Sequence, residues 1–240
     1  MRLTQILTIA AFAACFAMPA SAASLQVQPA LIDVAAPGQA ATLTLRNPDA
    51  APINVQLRVF RWSQVNGTEK LEPTTDVVAS PPATTLNPNT DYVVRIVRVT
   101  TRPVSGEESY RLLVDQLPDA SQNGGNTVRL LVRYSLPVFF TRGGRAEPEV
   151  SWTIRKHGDR VAVVARNNGT SRLRVSNLSI HDSRGKAVNF GDGLVGYVLG
   201  QSTMEWVAPR RVSDFATSGS VVISGKGNEQ QIRATATLGR

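Results

Sequence analysis

Apolar and polar residues alternate along most of this chain with a period of two, which is typical of β-strands that bury one face. No stretch longer than two turns has convincing helical periodicity. The pattern therefore predicts an all-β fold. The clearest alternating positions are Leu43, Leu45, Ile53, Val55, Leu57, Val59, Tyr92, Val94, Ile96, Leu112 and Val114.

Turn-forming residues separate these runs at short intervals. They occur at Ala36-Pro37-Gly38, Asn47-Pro48-Asp49, Asn66-Gly67 and Asn87-Pro88-Asn89. Short strands with turns at this spacing predict a β-sandwich.

One segment, from Arg142 to Pro148, interrupts the alternation and has the character of a linker. Beyond it, alternating runs predict a hairpin around His157-Gly158-Asp159 and further strands up to Thr237. We therefore predict two immunoglobulin-like β-sandwich domains that meet at an angle. Their expected limits are residues 23–143 and 147–240, with the boundary between Thr141 and Pro148.

The first residues have the pattern of a secretory signal peptide, residues 1–22. Arg2 precedes an apolar run from Ile6 to Met18, and small residues follow at Ala20 and Ala22. We expect cleavage after Ala22, with Ala23 as the neighbouring option. No later stretch approaches the roughly 20 apolar residues of a transmembrane helix, so we expect an exported, soluble mature protein without membrane insertion.

Composition narrows the chemistry of the mature chain. The only cysteine, Cys15, lies in the expected signal peptide, which leaves neither a disulfide nor a thiolate metal site. Removing Arg2 from the 26 basic residues leaves 25 against 18 acidic residues, a net charge of +7. These charges are scattered rather than clustered, which favours a solvated surface over a nucleic-acid site.

Few residues suggest catalysis or cofactor binding. His157 and His181 are the only histidines and have no neighbouring ligand partner in the sequence, so we expect no metal and no cofactor. Without cysteine, a Gly-x-Ser-x-Gly elbow or a phosphate-binding glycine loop, we expect that the protein is not an enzyme. We expect Trp62, Trp152 and Trp206 to pack in a core or between domains.

Residues 77–96 carry a recognisable motif, VVASPPATTLNPNTDYVVRI. An apolar, a small and a hydroxyl residue precede a Pro-Pro pair, and a proline turn then leads into a strand that ends in Arg and an aliphatic residue. This run resembles a signature of the periplasmic pilus chaperones of the chaperone–usher pathway.

Three further segments resemble that family in the same order. Ser24 to Pro29, SLQVQP, is similar to its opening strand, and Glu108 to Pro118, ESYRLLVDQLP, is similar to the strand before its donor strand. Val128 to Phe139, VRLLVRYSLPVF, is similar to the donor strand itself. The resemblance covers the first domain well and the second only in length and character.

The resemblance implies a periplasmic chaperone that binds pilus subunits, delivers them to an outer-membrane usher and is a monomer when free. In that family the subunit lacks its last strand, and the chaperone lends one with a column of apolar side chains at period two. Val128, Leu130 and Val132 would supply that column, and Tyr134 would continue it. The alternative from alternation alone is an ordinary core strand.

The sequence departs from the better-known branches at two positions that grip the subunit's terminal carboxylate. Where those branches have Arg in the first strand and Lys at the end of the donor strand, this chain has Pro29 and Pro137. In this respect it resembles the archaic branch, which serves spore-coat-U-type subunits.

Another cation must therefore anchor the carboxylate if the family mechanism applies. Arg111 is the first candidate, and its alternative role is a surface or interdomain salt bridge. The resemblance also implies that Glu108 joins an ion pair between the domains, unless it is a solvated carboxylate. The further anchor candidates are Arg95, Arg98 and Arg133.

A second function class stays open at this point, an exported immunoglobulin-like pilin or adhesin. Such a protein would normally have one domain and an N-terminal extension for donation to the next subunit. Here the N-terminus fits a first strand directly and two domains are expected, which favours the chaperone.

Overall fold

The computed structural model describes residues 25–118, 130–144, 146–209, 211, 215, 219–228 and 230–239. Throughout these residues the regular elements are β-strands, so the predicted all-β fold is confirmed. The same part of the chain contains no helix with the length and hydropathy needed to cross a membrane.

Ten strands form the N-terminal sandwich. They are β1 (Gln26–Gln28), β2 (Ile32–Ala35), β3 (Ala40–Arg46), β4 (Ile53–Val65), β5 (Thr68–Pro73), β6 (Val77–Ser80), β7 (Ala83–Leu86), β8 (Asp91–Arg98), β9 (Glu107–Leu117) and β10 (Arg133–Thr141). One sheet has the order β1-β3-β8-β6, and the other has the order β2-β10-β9-β4-β5, with β7 beside β4.

The core of this sandwich is built by alternate residues of both sheets. Inward positions on β3, β4, β8 and β9 are those that the hydrophobic pattern marks, because alternate side chains of a strand point to opposite faces. The fully buried members include Leu43, Leu45, Val55, Val94, Ile96, Leu112 and Val114.

The predicted turns are also present. At Asn66 and Gly67, φ is 54° and 80°, the left-handed conformation that a two-residue hairpin between β4 and β5 requires. A Cβ added at Gly67 would lie 3.0 Å from the Cβ of Glu205 in the second sandwich. Glycine therefore serves both the turn and a close approach between the two halves of the chain.

Eight further strands follow, and β18 joins the two parts of their sheet. They are β11 (Val150–His157), β12 (Arg160–Asn167), β13 (Leu173–His181), β14 (Ala187–Asn189), β15 (Leu194–Val198), β16 (Ser202–Val207), β17 (Ser220–Lys226) and β18 (Gln231–Gly239). The order is β14-β13-β17-β18-β11-β12-β16, with β15 beside β13.

This second group encloses its own apolar core, which includes Ile154, Val175 and Leu178. The predicted hairpin around Gly158 is formed by β11 and β12. Because β10 ends at Thr141 and β11 begins at Val150, the connection between the sandwiches falls on residues 142–149. The stated limits of 23–143 and 147–240 stay predictions.

The two sandwiches meet through an aromatic cluster and a buried amide. Trp62 lies 5.8 Å from Phe139 and 5.6 Å from Tyr197, measured between ring centroids. Gln64 Nε2 donates to the carbonyl of Tyr197 at 2.7 Å, and the amide of Leu199 donates to Gln64 Oε1 at 2.9 Å. Trp62 therefore packs between the domains, as expected, and the Gln64 side chain is satisfied on both atoms.

A buried ion pair stabilises the N-terminal sandwich. Arg98, which is 4% exposed, donates to both carboxylate oxygens of Glu108 at 2.8 Å and to the carbonyls of Thr100 and Arg102. Tyr110 also donates its hydroxyl to Glu108. The hydrogen bonds from Arg98, opposed by burial, hold the pKa of Glu108 below its usual range.

Replacing Arg98 by alanine should destabilise the N-terminal sandwich by about 3–5 kcal/mol, because Glu108 would then be buried without its cation. Urea unfolding followed by circular dichroism measures this. The exposed pair Arg46–Asp91 provides the control, since Arg46→Ala should cost no more than about 1 kcal/mol. Equal, small effects of both substitutions would contradict a stabilising role for the buried pair.

Candidate functional site

The first half of β10 is an open sheet edge. Residues 138–141 pair in parallel with β2, whereas β1, earlier on the same chain segment, pairs with β3 in the other sheet. Among the described residues, positions 133–137 therefore pair only with β9 on one side. Main-chain groups on the other side remain available for another strand.

An apolar column runs along this edge out of the protein core. Leu136 and Val138 are buried members of the core, and Tyr134 packs partly against it. Continuing at period two, Val132 is half-buried and Leu130 is 82% exposed. Val128, the first predicted member of the column, lies outside the described residues.

Three contacts hold the outer part of this column beside β9 and beside Leu25, the residue before β1. The amide of Gln116 donates to the carbonyl of Val132 at 3.0 Å, and the amide of Val132 donates to Gln116 Oε1 at 3.3 Å. The hydroxyl of Tyr134 donates to the carbonyl of Leu25. Residues 132–134 therefore continue the sheet beyond the core, with Leu130 projecting at its end.

Arg111 lies on β9, beside the inner end of this edge. It is directly opposite Pro137 in the β9–β10 register, beside the position where the sequence lacks the family's lysine. Its guanidinium carbon lies 3.8 Å from the ring centroid of Trp62, and its Nη2 donates to Glu69 Oε1 at 3.1 Å. The side chain is 14% exposed, so Arg111 is a largely enclosed cation on the face that receives the second domain.

Strand alternation explains why Arg111 is on that face. On β9, Tyr110, Leu112 and Val114 enter the sandwich core, so the intervening residues point to the opposite side of the sheet. Phe139 on β10 is buried on that opposite side, against Trp62. Arg111 and the aromatic cluster therefore share one surface.

The other anchor candidates have different environments. Arg98 is enclosed by Glu108 and two carbonyls within the N-terminal sandwich, so its guanidinium does not face a partner. Arg95 is exposed on β8, in the sheet that does not contain β10. These positions do not favour either arginine as an anchor beside the open edge.

Arg133 is exposed at the start of β10 and pairs with Asp115. Asp115 also accepts from Arg58 Nη2 at 2.7 Å. Burial opposes the ionisation of Asp115, but the two guanidinium groups outweigh it and lower its pKa. Arg133 thus shares its carboxylate with a second cation at the outer end of the edge.

The interdomain ion pair predicted at Glu108 lies one residue earlier. Glu108 pairs with Arg98 inside the N-terminal sandwich, whereas Glu107 and Asp33 both pair with Arg172 of the C-terminal sandwich. The physical reason is again alternation, because consecutive residues of β9 point to opposite faces. The interdomain prediction for Glu108 is therefore wrong.

Arg172 is a functional candidate that sequence reasoning missed. Its guanidinium carbon lies 3.7 Å from the Phe139 ring centroid, and its main-chain amide donates to Glu107 Oε1 at 3.2 Å. No local motif marks it, since its partners are distant in sequence. Only the register of β9 against β10 and the docking of the second sandwich bring them together.

Among the described residues, no group of three or more His, Cys, Asp or Glu side chains is arranged to hold a metal ion. His157 Nδ1 lies 3.3 Å from Glu205 Oε1, and that carboxylate also pairs with Arg155.

Comparison with protein families identifies the N-terminal sandwich. Residues 24–142 match the family described as "Pili and flagellar-assembly chaperone, PapD N-terminal domain". Residues 24–142 therefore belong to the family of pilus and flagellar-assembly chaperones. A search of curated protein sequences found no match.

Solved structures of pilus chaperones share the fold over both sandwiches. One is the CsuC–CsuE chaperone–tip adhesion subunit pre-assembly complex from archaic chaperone–usher Csu pili of Acinetobacter baumannii. The matched chain is 23% identical, with 91% of this chain and 100% of that chain covered and a TM-score of 0.68.

Two other chaperone structures give the same result. The SafB chaperone in complex with the Salmonella enterica SafA pilin is 17% identical, with 89% and 96% coverage and a TM-score of 0.61. The E. coli chaperone DraB is 21% identical, with 88% and 98% coverage and a TM-score of 0.58. The predicted architecture of two immunoglobulin-like domains is confirmed by this likeness.

Removing the interdomain cation Arg172 should leave Glu107 buried without a partner and so destabilise the protein. Arg172→Ala should lower the free energy of unfolding at neutral pH by on the order of 3 kcal/mol, because Glu107 is almost fully buried and loses its partner. Burial raises the pKa of Glu107 even in the intact protein, although Arg172 opposes this shift. Without Arg172, the folded-state pKa should rise further.

The sign of the pH dependence follows from that shift. A carboxyl with a raised folded-state pKa binds more protons in the folded than in the unfolded state, so the deficit of Arg172→Ala should shrink as pH falls from about 7 to about 5. Urea unfolding across this range tests it. Arg174→Ala, at an exposed arginine of β13 two residues after Arg172, should have little effect at any of these pH values. A deficit independent of pH would contradict the assignment to Glu107.

Proposed function

We propose that this chain binds pilus subunits in the periplasm by donor-strand complementation and delivers them to an outer-membrane usher. The open edge of β10, with its apolar column leaving the core at Val132 and Leu130, is the observation that carries the proposal. The match of residues 24–142 to the chaperone family supports three parts of this proposal: pilus subunits as the ligand, an outer-membrane usher as the receiver, and the periplasm as the compartment.

The edge supplies what an incomplete immunoglobulin-like subunit lacks. An extended partner gains main-chain hydrogen bonds from the unpaired side of residues 133–137, and its hydrophobic groove receives side chains that alternate along the donor. Burial of an exposed leucine is worth about 1.5–3 kcal/mol. Leu130 therefore contributes directly to subunit affinity, and the partly covered Val132 contributes less.

In the same proposal, Val128 is the next apolar donor residue, two positions before Leu130. Tyr134 has a different role, because its ring is already partly packed against the core and its hydroxyl is bonded to Leu25. It marks the point where the column passes from the chaperone's own core to the surface offered to the subunit.

Arg111 anchors the subunit's terminal carboxylate in this proposal. It lies opposite Pro137 at the inner end of the open edge, and its planar guanidinium can hold a carboxylate with two hydrogen bonds. Because a slip of one residue would turn the apolar column away from the groove, a fixed charge at this position sets the register. Proline at 29 and 137, together with this arginine, supports placement in the archaic branch.

The donor column is tested by Leu130→Asp and Val132→Asp. Each should weaken subunit binding by roughly 100-fold or more, because the complex would bury an unpaired carboxylate in place of an apolar side chain. The free chaperone with Leu130→Asp should melt at the wild-type temperature, since Leu130 is exposed. Affinity for a subunit recovered as a one-to-one complex by co-expression, together with thermal melts, measures both.

Two variants serve as controls for the donor column. Leu194→Asp changes an exposed leucine of the C-terminal sandwich and should leave binding and melting unchanged. Leu136→Asp changes a buried member of the same column and should unfold the N-terminal sandwich. If Leu130→Asp unfolds the free protein, the strand belongs to the core and the donor assignment fails.

The anchor is tested by Arg111→Ala, which should weaken the same complex roughly 10- to 100-fold through loss of a charge-assisted hydrogen bond. Arg111→Lys should recover only part of the affinity, because an ammonium group cannot form the two-pronged contact. Arg95→Ala and Arg133→Ala, measured in parallel, should bind normally. Unchanged affinity in Arg111→Ala would remove Arg111 as the anchor.

A further inference from the structure

The proposed anchor already holds a carboxylate in the free protein. Arg111 Nη2 donates to Glu69 Oε1 at 3.1 Å, which is the one side-chain hydrogen bond of Arg111 among the described residues. A guanidinium has five N–H donors in a planar fork, so most of its capacity is unused in this contact. Glu69 is a single-point partner where a free carboxylate could make two bonds.

Glu69 reaches Arg111 from an exposed edge strand. Every residue of β5 is exposed, and the side chain of Glu69 is 37% exposed against 14% for Arg111. In the β4–β5 register Glu69 is opposite Gln64, the buried amide between the domains. The hairpin tip is fixed by a hydrogen bond from the amide of Glu205 to the carbonyl of Gly67 at 3.0 Å.

The orientation of the Arg111 guanidinium does not depend on its charge partner, Glu69. The Trp62 ring lies against the guanidinium, 3.8 Å from centroid to carbon, and restricts its plane. Glu69 is therefore not needed to align the fork. Because it lies at the protein surface, its side chain can leave Arg111 and become hydrated without moving β5, which is fixed to β4.

We infer that Glu69 is a placeholder for the subunit's terminal carboxylate. It occupies Arg111 in the free protein and must release Arg111 when a subunit docks. This inference rests on the proposed role of Arg111. The incoming carboxylate competes with Glu69 for Nη2 of Arg111, and repulsion between the two carboxylates favours the release of Glu69. The exchange lowers the affinity only for ligands that place a carboxylate at Arg111, because other ligands leave the Glu69–Arg111 pair intact. Glu69 thus sets how tightly the subunit site holds a terminal carboxylate.

The direction in which Glu69→Gln changes the affinity for the subunit distinguishes a placeholder from a positioning residue. Glu69→Gln should tighten subunit binding by roughly two- to fivefold, the range expected for removal of a competing, partly exposed ion pair. A residue that only aligned Arg111 would weaken binding when removed. Glu69→Ala, which also deletes the hydrogen bond, should tighten binding at least as much.

The measurement uses the full-length chaperone and two probes. The first is the subunit recovered as a one-to-one complex by co-expression, and the second is that subunit with a short C-terminal extension that moves its carboxylate. Tightening by Glu69→Gln should be seen with the first probe and absent with the second. Glu72→Gln, which removes a carboxylate that pairs with Lys70 on the same strand, should change neither affinity and controls for net charge.

Combining substitutions separates this inference from the proposed function. In the Arg111→Ala background, Glu69→Gln should have no effect on binding, because the competition no longer exists. If Arg111→Ala weakens binding but Glu69→Gln does not tighten it, the placeholder is wrong and the anchor stands. If Arg111→Ala leaves binding unchanged, both fail. Equal tightening by Glu69→Gln and Glu72→Gln would assign the effect to overall charge and overturn the placeholder.

Discussion

The site depends on the change of sheet that the chain makes between β1 and β2. Before Pro29 the chain pairs with β3, and after Leu31 it pairs with the second half of β10. A strand that stayed beside β10 throughout would satisfy the main-chain groups of positions 133–137 internally. The switch instead leaves a short edge that remains attached to a complete, well-packed sandwich. The open edge is therefore built directly onto the core behind it.

Alternation along β9 and β10 then distributes the chemistry between two surfaces. One set of side chains enters the core and leaves it again as the apolar column that ends in Leu130. The other set forms the face covered by the C-terminal sandwich, where Glu107 pairs with Arg172 and where Arg111 and Phe139 pack against Trp62. Apolar contact and charge are thus supplied by opposite faces of the same two strands, which keeps the guanidinium away from the column.

The sequence predicts the strands well because their signals are local. Leu43, Leu45 and the Asn66-Gly67 turn are determined by alternation and by backbone conformation, and both are visible in a short window. The position of Arg111 beside Pro137 agrees with the motif order, since β9 and β10 are consecutive strands in an antiparallel pair.

Residues at the domain contact were harder to predict because the contact joins distant segments. The interdomain carboxylate is Glu107 rather than Glu108, because consecutive residues of β9 point to opposite faces and the motif does not show which face each residue takes. Glu69 and Arg172 had no signal at all. Each meets its partner only when a hairpin or a domain docks. The hydrophobic pattern of the sequence does not show such contacts.

The cluster of Trp62, Phe139 and Tyr197 has a consequence for how the chain can be divided. Trp62 and Phe139 belong to the N-terminal sandwich, yet both are buried through contact with Tyr197 and Leu199. A fragment ending at residue 144 would present this aromatic surface to water on the same side as the unsatisfied amide of Gln64. Such an exposed patch promotes association between molecules. The two sandwiches therefore have separate cores, yet the N-terminal one depends on the second to keep this aromatic surface out of water.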